Sequence, residues 1–356
     1  MDERLFRKPK TALVDNRMLR WVPLLLSVLM SGCTSYYGQL AVGQLDILRQ
    51  REPIADLVDR PETDPGLRQR LALALQARRF ASSTLALPDN RSYEVYADIQ
   101  RPYVVWNVFA TEEFSVTPLA HCFPIAGCVA YRGYYQKGRA RGAAALLNAE
   151  GHDTSVAGVE AYSTLGWFDD PLLSSMLRWD DERLAGLIFH ELAHQKFYLA
   201  DDTAFNESFA TFVEREGLRQ WRASRGLPVP QEAAHPYADL SRLVLATRDR
   251  LAAIYASDLS EPAMRRAKRD EFVHMRQAYR QLRDGSWNGD RRFDRWMAQP
   301  LNNASLVPFG LYDQWVPAFA ALFEQVGGDW PRFYAEVADL GRLPADERKR
   351  QLDALL

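Results

Sequence analysis

The residues best suited to chemistry form a His-Glu-x-x-His motif that runs from His190 to His194. Two histidines four residues apart lie one turn from each other on the same face of a helix, so both imidazoles can reach one metal ion. Glu191 lies beside them, at a position that suits a general base acting on a metal-bound water. The motif therefore predicts a zinc site able to carry out hydrolysis.

A helix is predicted around this motif. Apolar residues recur at three- and four-residue spacings on the side opposite the histidines, and acidic residues crowd the predicted start, where they favour the helix dipole. The apolar positions are Leu184, Leu187, Ile188, Leu192 and Phe197, and the acidic ones are Asp180, Asp181 and Glu182. The alternative is an amphipathic helix with two surface histidines, against which the apolar neighbours Phe189 and Ala193 argue.

A zinc ion needs a third protein ligand, and two histidines with one glutamate form a known catalytic set. Glu207 is the best candidate, in the segment Asn-Glu-Ser-Phe-Ala that begins at Asn206. Thr203 or Asp202 can cap a second helix here, and a short loop would fold that helix back beside the first. Asn206 is expected to orient neighbouring groups.

The two motifs together resemble those of the gluzincin metallopeptidases, in which the later glutamate completes the zinc site. Four segments are also similar to a family of bacterial lipoproteins described as predicted aminopeptidases, and they span residues 161–168, 170–173, 189–195 and 205–211. This similarity extends from about Tyr36 to Trp221 and includes the segment from Cys122 to Cys128.

The resemblance implies that zinc is held by the two histidines of the motif and Glu207, and that Glu191 activates a metal-bound water to hydrolyse peptides. It implies an aminopeptidase, while an envelope endopeptidase and a non-catalytic zinc-binding lipoprotein stay as alternatives. The gap of 12 residues between His194 and Glu207 is shorter than is usual in thermolysin-like enzymes. Asp201 and Asp202 therefore stay as alternative third ligands.

The N-terminal segment is typical of a secretory signal. Residues 1–20 carry a net charge of +3, and residues 21–30 form an apolar run too short to span a membrane. The Met-Ser-Gly-Cys ending resembles a bacterial lipobox, which implies cleavage before Cys33, lipid attachment to it and a membrane anchor. Thr34 is not acidic, which favours the periplasmic face of the outer membrane. An uncleaved anchor is the alternative, and Met18 is a second candidate start.

The remaining chain is acidic and large enough for a sizeable core. Residues 1–32 carry +3 of a total of −2, so the other 324 residues carry −5, with no basic surface to suggest nucleic acid. We predict a signal peptide at 1–32, a zinc peptidase core at 33–222 and a helical C-terminal subdomain at 223–356 that packs on the core.

Two of the three cysteines remain once Cys33 is assigned to lipid. An oxidising periplasm makes a disulfide between Cys122 and Cys128 plausible, which would close a small loop. Two free buried thiols are the alternative.

The predicted fold class is α+β and mainly helical, with a small β-sheet before the His-Glu-x-x-His helix, the order seen in gluzincins. Strands are predicted at 103–109, 114–118, 129–134 and 155–159 because aromatic and β-branched residues alternate there. The chain after residue 221 is predicted to be helical, with one helix at 312–326 and a loop at 301–306 that could cap a cleft.

Several side chains are candidates for substrate contacts. Tyr162 could donate its phenol to the oxyanion formed during hydrolysis, although a packing role is the simpler alternative. Weaker candidates are Tyr198, His235 and Tyr312. The edge strand that would pair with a peptide is placed at 156–165. An aminopeptidase also needs an acidic group for the free amine, and the available ones are Glu160, Asp169 and Asp170.

Overall fold

A computed structural model describes residues 22–123, 127–228 and 236–356, with side chains from residue 36 onward. Most of the predicted signal segment, the side chain of Cys33 and all of His235 lie outside the described part. The described chain divides into two units, the residues up to Asp46 and the residues from Ile47 to Leu356. The predicted division at residue 222 falls near the end of a long helix and stays a prediction.

Helix α1 (Val22–Arg49) accounts for the described part of the first unit and ends just inside the second. Within residues 22–123, 127–228 and 236–356, no helix combines the length and the apolar character needed to cross a membrane.

The second unit is mainly helical, as predicted. Its helices are α2 (Ile54–Asp59), α3 (Pro65–Ser83), α4 (Lys137–Ala149), α5 (Asp181–Lys196), α6 (Thr203–Ser224), α7 (Pro236–Tyr255), α8 (Glu261–Asp284), α9 (Asp294–Met297), α10 (Asn303–Tyr312), α11 (Val316–Gln325), α12 (Trp330–Arg342) and α13 (Ala345–Asp353), with a 3-10 turn at Met176–Arg178. Its strands are β1 (Arg51–Pro53), β2 (Val95–Ala97), β3 (Val105–Thr111), β4 (His121–Phe123), β5 (Gly127–Val129), β6 (Arg132–Tyr134), β7 (Asp153–Val159) and β8 (Leu172–Leu173).

The largest sheet precedes the motif helix in the chain. Its order is β6-β3-β7, and β3 is antiparallel to both neighbours, with Val105 opposite Val159 and Thr111 opposite Asp153. Strand β7 is therefore an edge strand of the described sheet. Two smaller sheets pair β1-β2-β8, with β2 parallel to β8, and β4 with β5.

Some of the predicted elements are wrong. Residues 114–118 do not form a strand, because proline lacks the N–H that a ladder requires, and Pro118 makes only an isolated bridge to Thr111. Residues 301–306 are not a loop but the start of α10, which Asn302 and Ser305 begin with a reciprocal capping box. The helix predicted at 312–326 is in fact two, because α10 ends at Tyr312 and α11 begins at Val316.

The core around the motif helix is aromatic. Helix α5 packs between α3 and α6, and α6 in turn packs against α10 and α11. Among the described residues the fully buried phenylalanines are Phe189, Phe205, Phe209, Phe319 and Phe333. Close approach of α6 to α5 requires glycine at position 217, because a Cβ there would lie 2.9 Å from Cδ2 of Phe189. This packing holds α5 and α6 side by side.

Candidate metal centre

Helix α5 supplies three of the four central side chains. It is preceded by the N-cap residue Asp180, whose side chain accepts a hydrogen bond from Arg183 N at 2.8 Å. His190 and His194 lie one turn apart on its buried face, and Glu191 is next to the first of them; each is only 7–8% exposed. Polar residues this well buried need partners or a ligand.

Helix α6 supplies the fourth side chain, Glu207, which is 6% exposed. The turn between the two helices is fixed by Asn206, which accepts a hydrogen bond from Leu199 N at 2.8 Å and donates one to Leu199 O at 2.7 Å. Asp202 caps α6 by accepting from Phe205 N at 3.0 Å. These bonds fix the turn that brings Glu207 beside the histidines, and the orienting role expected of Asn206 stays a prediction.

Three ligand atoms converge at one point. His190 Nε2 lies 3.3 Å from His194 Nε2 and 3.4 Å from Glu207 Oε2, and His194 Nε2 lies 3.5 Å from the same oxygen. Tetrahedral zinc, with bonds of about 2.0–2.2 Å, separates its ligand atoms by about 3.3–3.6 Å. Glu207 Oε2 is buried without a hydrogen bond to any described residue. His190, His194 and Glu207 thus form a buried group that can hold a metal ion.

The charges of these groups favour a cation. Burial alone would lower the pKa of His190, but the Glu207 and Glu214 carboxylates outweigh it and raise that pKa. Burial alone would raise the pKa of Glu207, but the two histidines outweigh it and lower that pKa. Two carboxylates therefore stay negative around the imidazoles, where a metal ion can take the place of a proton.

Glu191 differs from the ligands because its carboxylate remains outside the converging set. Burial raises its pKa to about 7, although the two neighbouring histidines oppose the shift. A carboxyl group with a pKa near neutrality can both accept and return a proton. Its position and its pKa fit a general base.

Glu214 contacts the candidate ligand His190, and the sequence reasoning missed it. Its Oε2 lies 3.1 Å from His190 Nδ1, and its Oε1 accepts a hydrogen bond from Arg183 at 3.2 Å. A carboxylate on the second ring nitrogen fixes the tautomer of a metal-binding histidine and strengthens it as a ligand. The signal was present, since Glu214 is seven residues after Glu207 and so lies on the same face of α6.

Tyr312, one of the weaker tyrosine candidates, lies at the centre. Its ring stacks on His190, with ring centroids 6.0 Å apart and an angle of 22° between the planes, and burial and then the Glu207 carboxylate raise the pKa of its phenol. Tyr162 instead pairs its hydroxyl with that of Tyr135 at 2.7 Å. Tyr312 is thus the phenol in direct contact with the ligands, and the catalytic role of Tyr162 stays a prediction.

The two aspartates kept as alternative third ligands are engaged elsewhere. Asp201 Oδ1 accepts a hydrogen bond from Cys128 N at 2.6 Å, and Asp202, besides capping α6, pairs with Arg348 at 2.9 Å. The hydrogen bond from Cys128 to Asp201 holds the β4-β5 hairpin against the turn between α5 and α6.

The structure joins Cys122 and Cys128 in a disulfide that closes the same hairpin.

Of the three acidic candidates for amine binding, Asp170 is already engaged by several hydrogen bonds. Asp170 is buried, and its carboxylate accepts hydrogen bonds from Thr164 and from Gln195 Nε2, the latter at 2.8 Å. Asp169 is on the surface near Arg91. Glu160 follows edge strand β7 and accepts a hydrogen bond from Trp179 Nε1 at 2.5 Å through one oxygen.

A family model described as "Putative aminopeptidase" matches residues 35–352, and the chain belongs to that family. The match continues past Trp221, where the predicted similarity became less clear, and includes the helices that bring Tyr312 to the centre. No curated protein and no solved structure matches the chain. The family description points to a peptidase.

Proposed function

We propose that this protein is a zinc-dependent aminopeptidase of the gluzincin type. The observation that carries the proposal is the convergence of His190, His194 and Glu207 within 3.5 Å of one another, with the Glu191 carboxylate beside them. A structural metal site needs no base next to it, whereas a catalytic site needs one. The family description supports peptide bonds as the substrate.

Bound zinc would supply Lewis acidity, which polarises the scissile carbonyl and makes water easier to deprotonate. Glu191 takes the proton from the attacking water and later passes it to the nitrogen of the leaving amine. Glu214 holds His190 in one orientation through the 3.1 Å contact to Nδ1. Because these groups are buried, few water molecules compete with the substrate carbonyl for contact with them.

A phenol is the best available donor for the oxyanion that forms at the carbonyl. Tyr312 is supported by its stacking on His190 and by its electrostatic interaction with Glu207. Tyr162 would have to leave the hydroxyl of Tyr135 to take this role. We therefore expect Tyr312→Phe to lower kcat and Tyr162→Phe to change it less.

Recognition of a free amine is assigned to Glu160. It lies directly after β7, and the outer edge of that strand can pair with an extended peptide. Burial raises the pKa of Glu160, while the Trp179 hydrogen bond opposes the shift. A substrate ammonium group would supply the positive partner that a half-buried carboxylate favours.

We further propose, from the N-terminal sequence alone, that the enzyme acts in the bacterial cell envelope. Residues 1–32 would direct export, and lipid on Cys33 would tether the enzyme at the periplasmic face of the outer membrane. Radiolabelled palmitate that enters the wild type but not Cys33→Ala would support this anchor. Equal labelling of both would contradict it.

The experiment for the proposed function uses the full chain with zinc on matched peptides that have free or acetylated amino termini. An aminopeptidase cuts only the free set, and Glu160→Gln should raise KM for that set. Asp169→Gln, a change to a neighbouring surface acid, is the control and should leave KM unchanged. Cleavage of the acetylated set would show an endopeptidase, and cleavage of neither set a non-catalytic protein.

A further inference from the structure

Ser208 is a fully buried serine that directly follows Glu207 on α6 and has no part in the proposed mechanism. Its hydroxyl donates a hydrogen bond to Leu311 O at 3.0 Å and accepts one from Trp315 N at 3.2 Å. Both partners belong to the segment in which α10 ends and α11 begins. Ser208 thus joins the helix of the candidate ligand Glu207 to the segment that carries Tyr312.

The two partners of this hydroxyl would be bonded to each other in a continuous helix. Trp315 is four residues after Leu311, so its N–H would then donate to Leu311 O. Instead, each group makes a hydrogen bond to the Ser208 hydroxyl. A side chain that enters the ladder of helical bonds in this way is a known cause of a sharp break. The hydroxyl also satisfies a carbonyl and an N–H that the two helix ends would leave unpaired.

Two further features keep α10 and α11 apart. Pro317 has no N–H, so it could not donate to Asp313 O in a continuous helix. The Asp313 carboxylate is buried and is held from two helices, by Arg215 of α6 at 2.5 Å and by the Ser241 hydroxyl of α7 at 2.9 Å. Helix α6 therefore fixes the break through two of its side chains, Ser208 and Arg215.

The break determines where Tyr312 lies. Tyr312 is the last residue of α10, and its ring stacks on His190 with ring centroids 6.0 Å apart. The carbonyl of Leu311 belongs to the planar peptide unit that ends at the nitrogen of Tyr312. The hydrogen bond from Ser208 to this carbonyl therefore fixes the peptide unit to which Tyr312 is attached.

We propose that Ser208 is a positioning residue for Tyr312: its hydroxyl replaces the helical hydrogen bond between Trp315 N and Leu311 O and thereby holds the phenol against His190. The effect on catalysis rests on the proposed function, in which Tyr312 stabilises the oxyanion. The effect on the position of Tyr312 does not rest on it. The two effects therefore have separate tests.

The position is tested by crystal structures of the metal-free full chain and its Ser208→Ala variant. In the variant the direct helical bond should form, and the Tyr312 ring should move away from His190 by ~1 Å or more, a displacement large enough to impair a reaction. Thr247→Val is the matched control, because it removes another buried hydroxyl, which donates to Leu243 O at 2.9 Å, and it should leave the stacked rings in place. A Tyr312 ring that stays in place in Ser208→Ala would overturn the proposal.

The effect on catalysis is tested with zinc present. Ser208→Ala should lower kcat by ~10- to 100-fold, the range expected for a misplaced group, with KM within about twofold of the wild type and zinc content unchanged. Tyr312→Phe should lower kcat by about 100-fold or more, the usual loss of an oxyanion donor. The double variant should be as slow as Tyr312→Phe alone, because Ser208 acts only through that phenol. Losses that multiply in the double variant, or full kcat in Ser208→Ala, would overturn the proposal.

Ser208→Thr is the second variant, since it keeps the hydroxyl even if Ser208→Ala does not fold. It should keep the kcat of the wild type, as should Thr247→Val, and a loss of kcat with the Tyr312 ring still in place would overturn the positioning role. A wild type that cuts no peptide would refute the proposed function instead, and unchanged kcat in Tyr312→Phe would refute the oxyanion role of that phenol. In both cases the crystal structures alone would decide whether Ser208 positions Tyr312.

Discussion

Replacement of Glu214 by glutamine tests the support of His190 quantitatively. The change keeps the shape of the side chain but removes the charge 3.1 Å from His190 Nδ1. A hydrogen bond to a charged group contributes about 1.5–3 kcal/mol, and each 1.4 kcal/mol is a factor of ten in affinity. We therefore expect Glu214→Gln to bind zinc about 10- to 100-fold more weakly, which is the range measured for such partners of metal-binding histidines.

The assay is competition for zinc against a chromophoric chelator at constant pH. Glu216→Gln is the matched control, because Glu216 lies on the same helix and pairs with Arg219 at 2.6 Å on the surface. The control should bind zinc as the wild type does. If Glu214→Gln keeps wild-type affinity within about twofold, the orientation of His190 does not depend on Glu214 and this reasoning is refuted.

Three further changes test the framework by denaturant unfolding. Gly217→Ala gains about 1 kcal/mol in helix propensity, but its methyl would lie 2.9 Å from Phe189, and such overpacking costs about 2 kcal/mol. The free energy of unfolding should therefore fall by about 1 kcal/mol. A more stable variant would contradict the close packing of α5 and α6. Asp170→Ala leaves buried donors without an acceptor and should cost about 3 kcal/mol, whereas a loss below about 0.5 kcal/mol would contradict that network. Cys122→Ser opens the loop to Cys128 and should cost about 2 kcal/mol by loop entropy; an unchanged stability would show that the disulfide adds nothing.

The part of the site that sequence could predict is local. The spacing of His190 and His194 places them on one helix face whatever the rest of the chain does. Glu207 lies in a second local motif, Asn-Glu-Ser-Phe-Ala. The capping residue and the short loop before it indicate that its helix folds back beside the first helix. The small sheet before the motif was visible for the same reason, because alternation along a strand is a property of neighbouring residues.

The rest depends on contacts between distant segments. Tyr312 reaches His190 only because α10 packs against α6, and the sequence around Tyr312 carries no sign of this. The turn at residues 88–92 depends on Arg78, which donates to the carbonyl oxygens of Pro88, Asn90 and Ser92, and residue types do not reveal these partners. The loop predicted at 301–306 was wrong because the capping pair there was missed, although the Asn302 to Ser305 spacing could have revealed it.

The measurement that tests the central claim most directly compares zinc content and peptide turnover of the wild type and Glu191→Gln in one preparation. The proposed site predicts one zinc per chain in both proteins and turnover at least ~1000-fold lower in the variant, because the ligands remain while the general base is lost. Equal turnover in both proteins would show that Glu191 is not the base. Loss of zinc from the variant would show that Glu191 belongs to the ligand set instead.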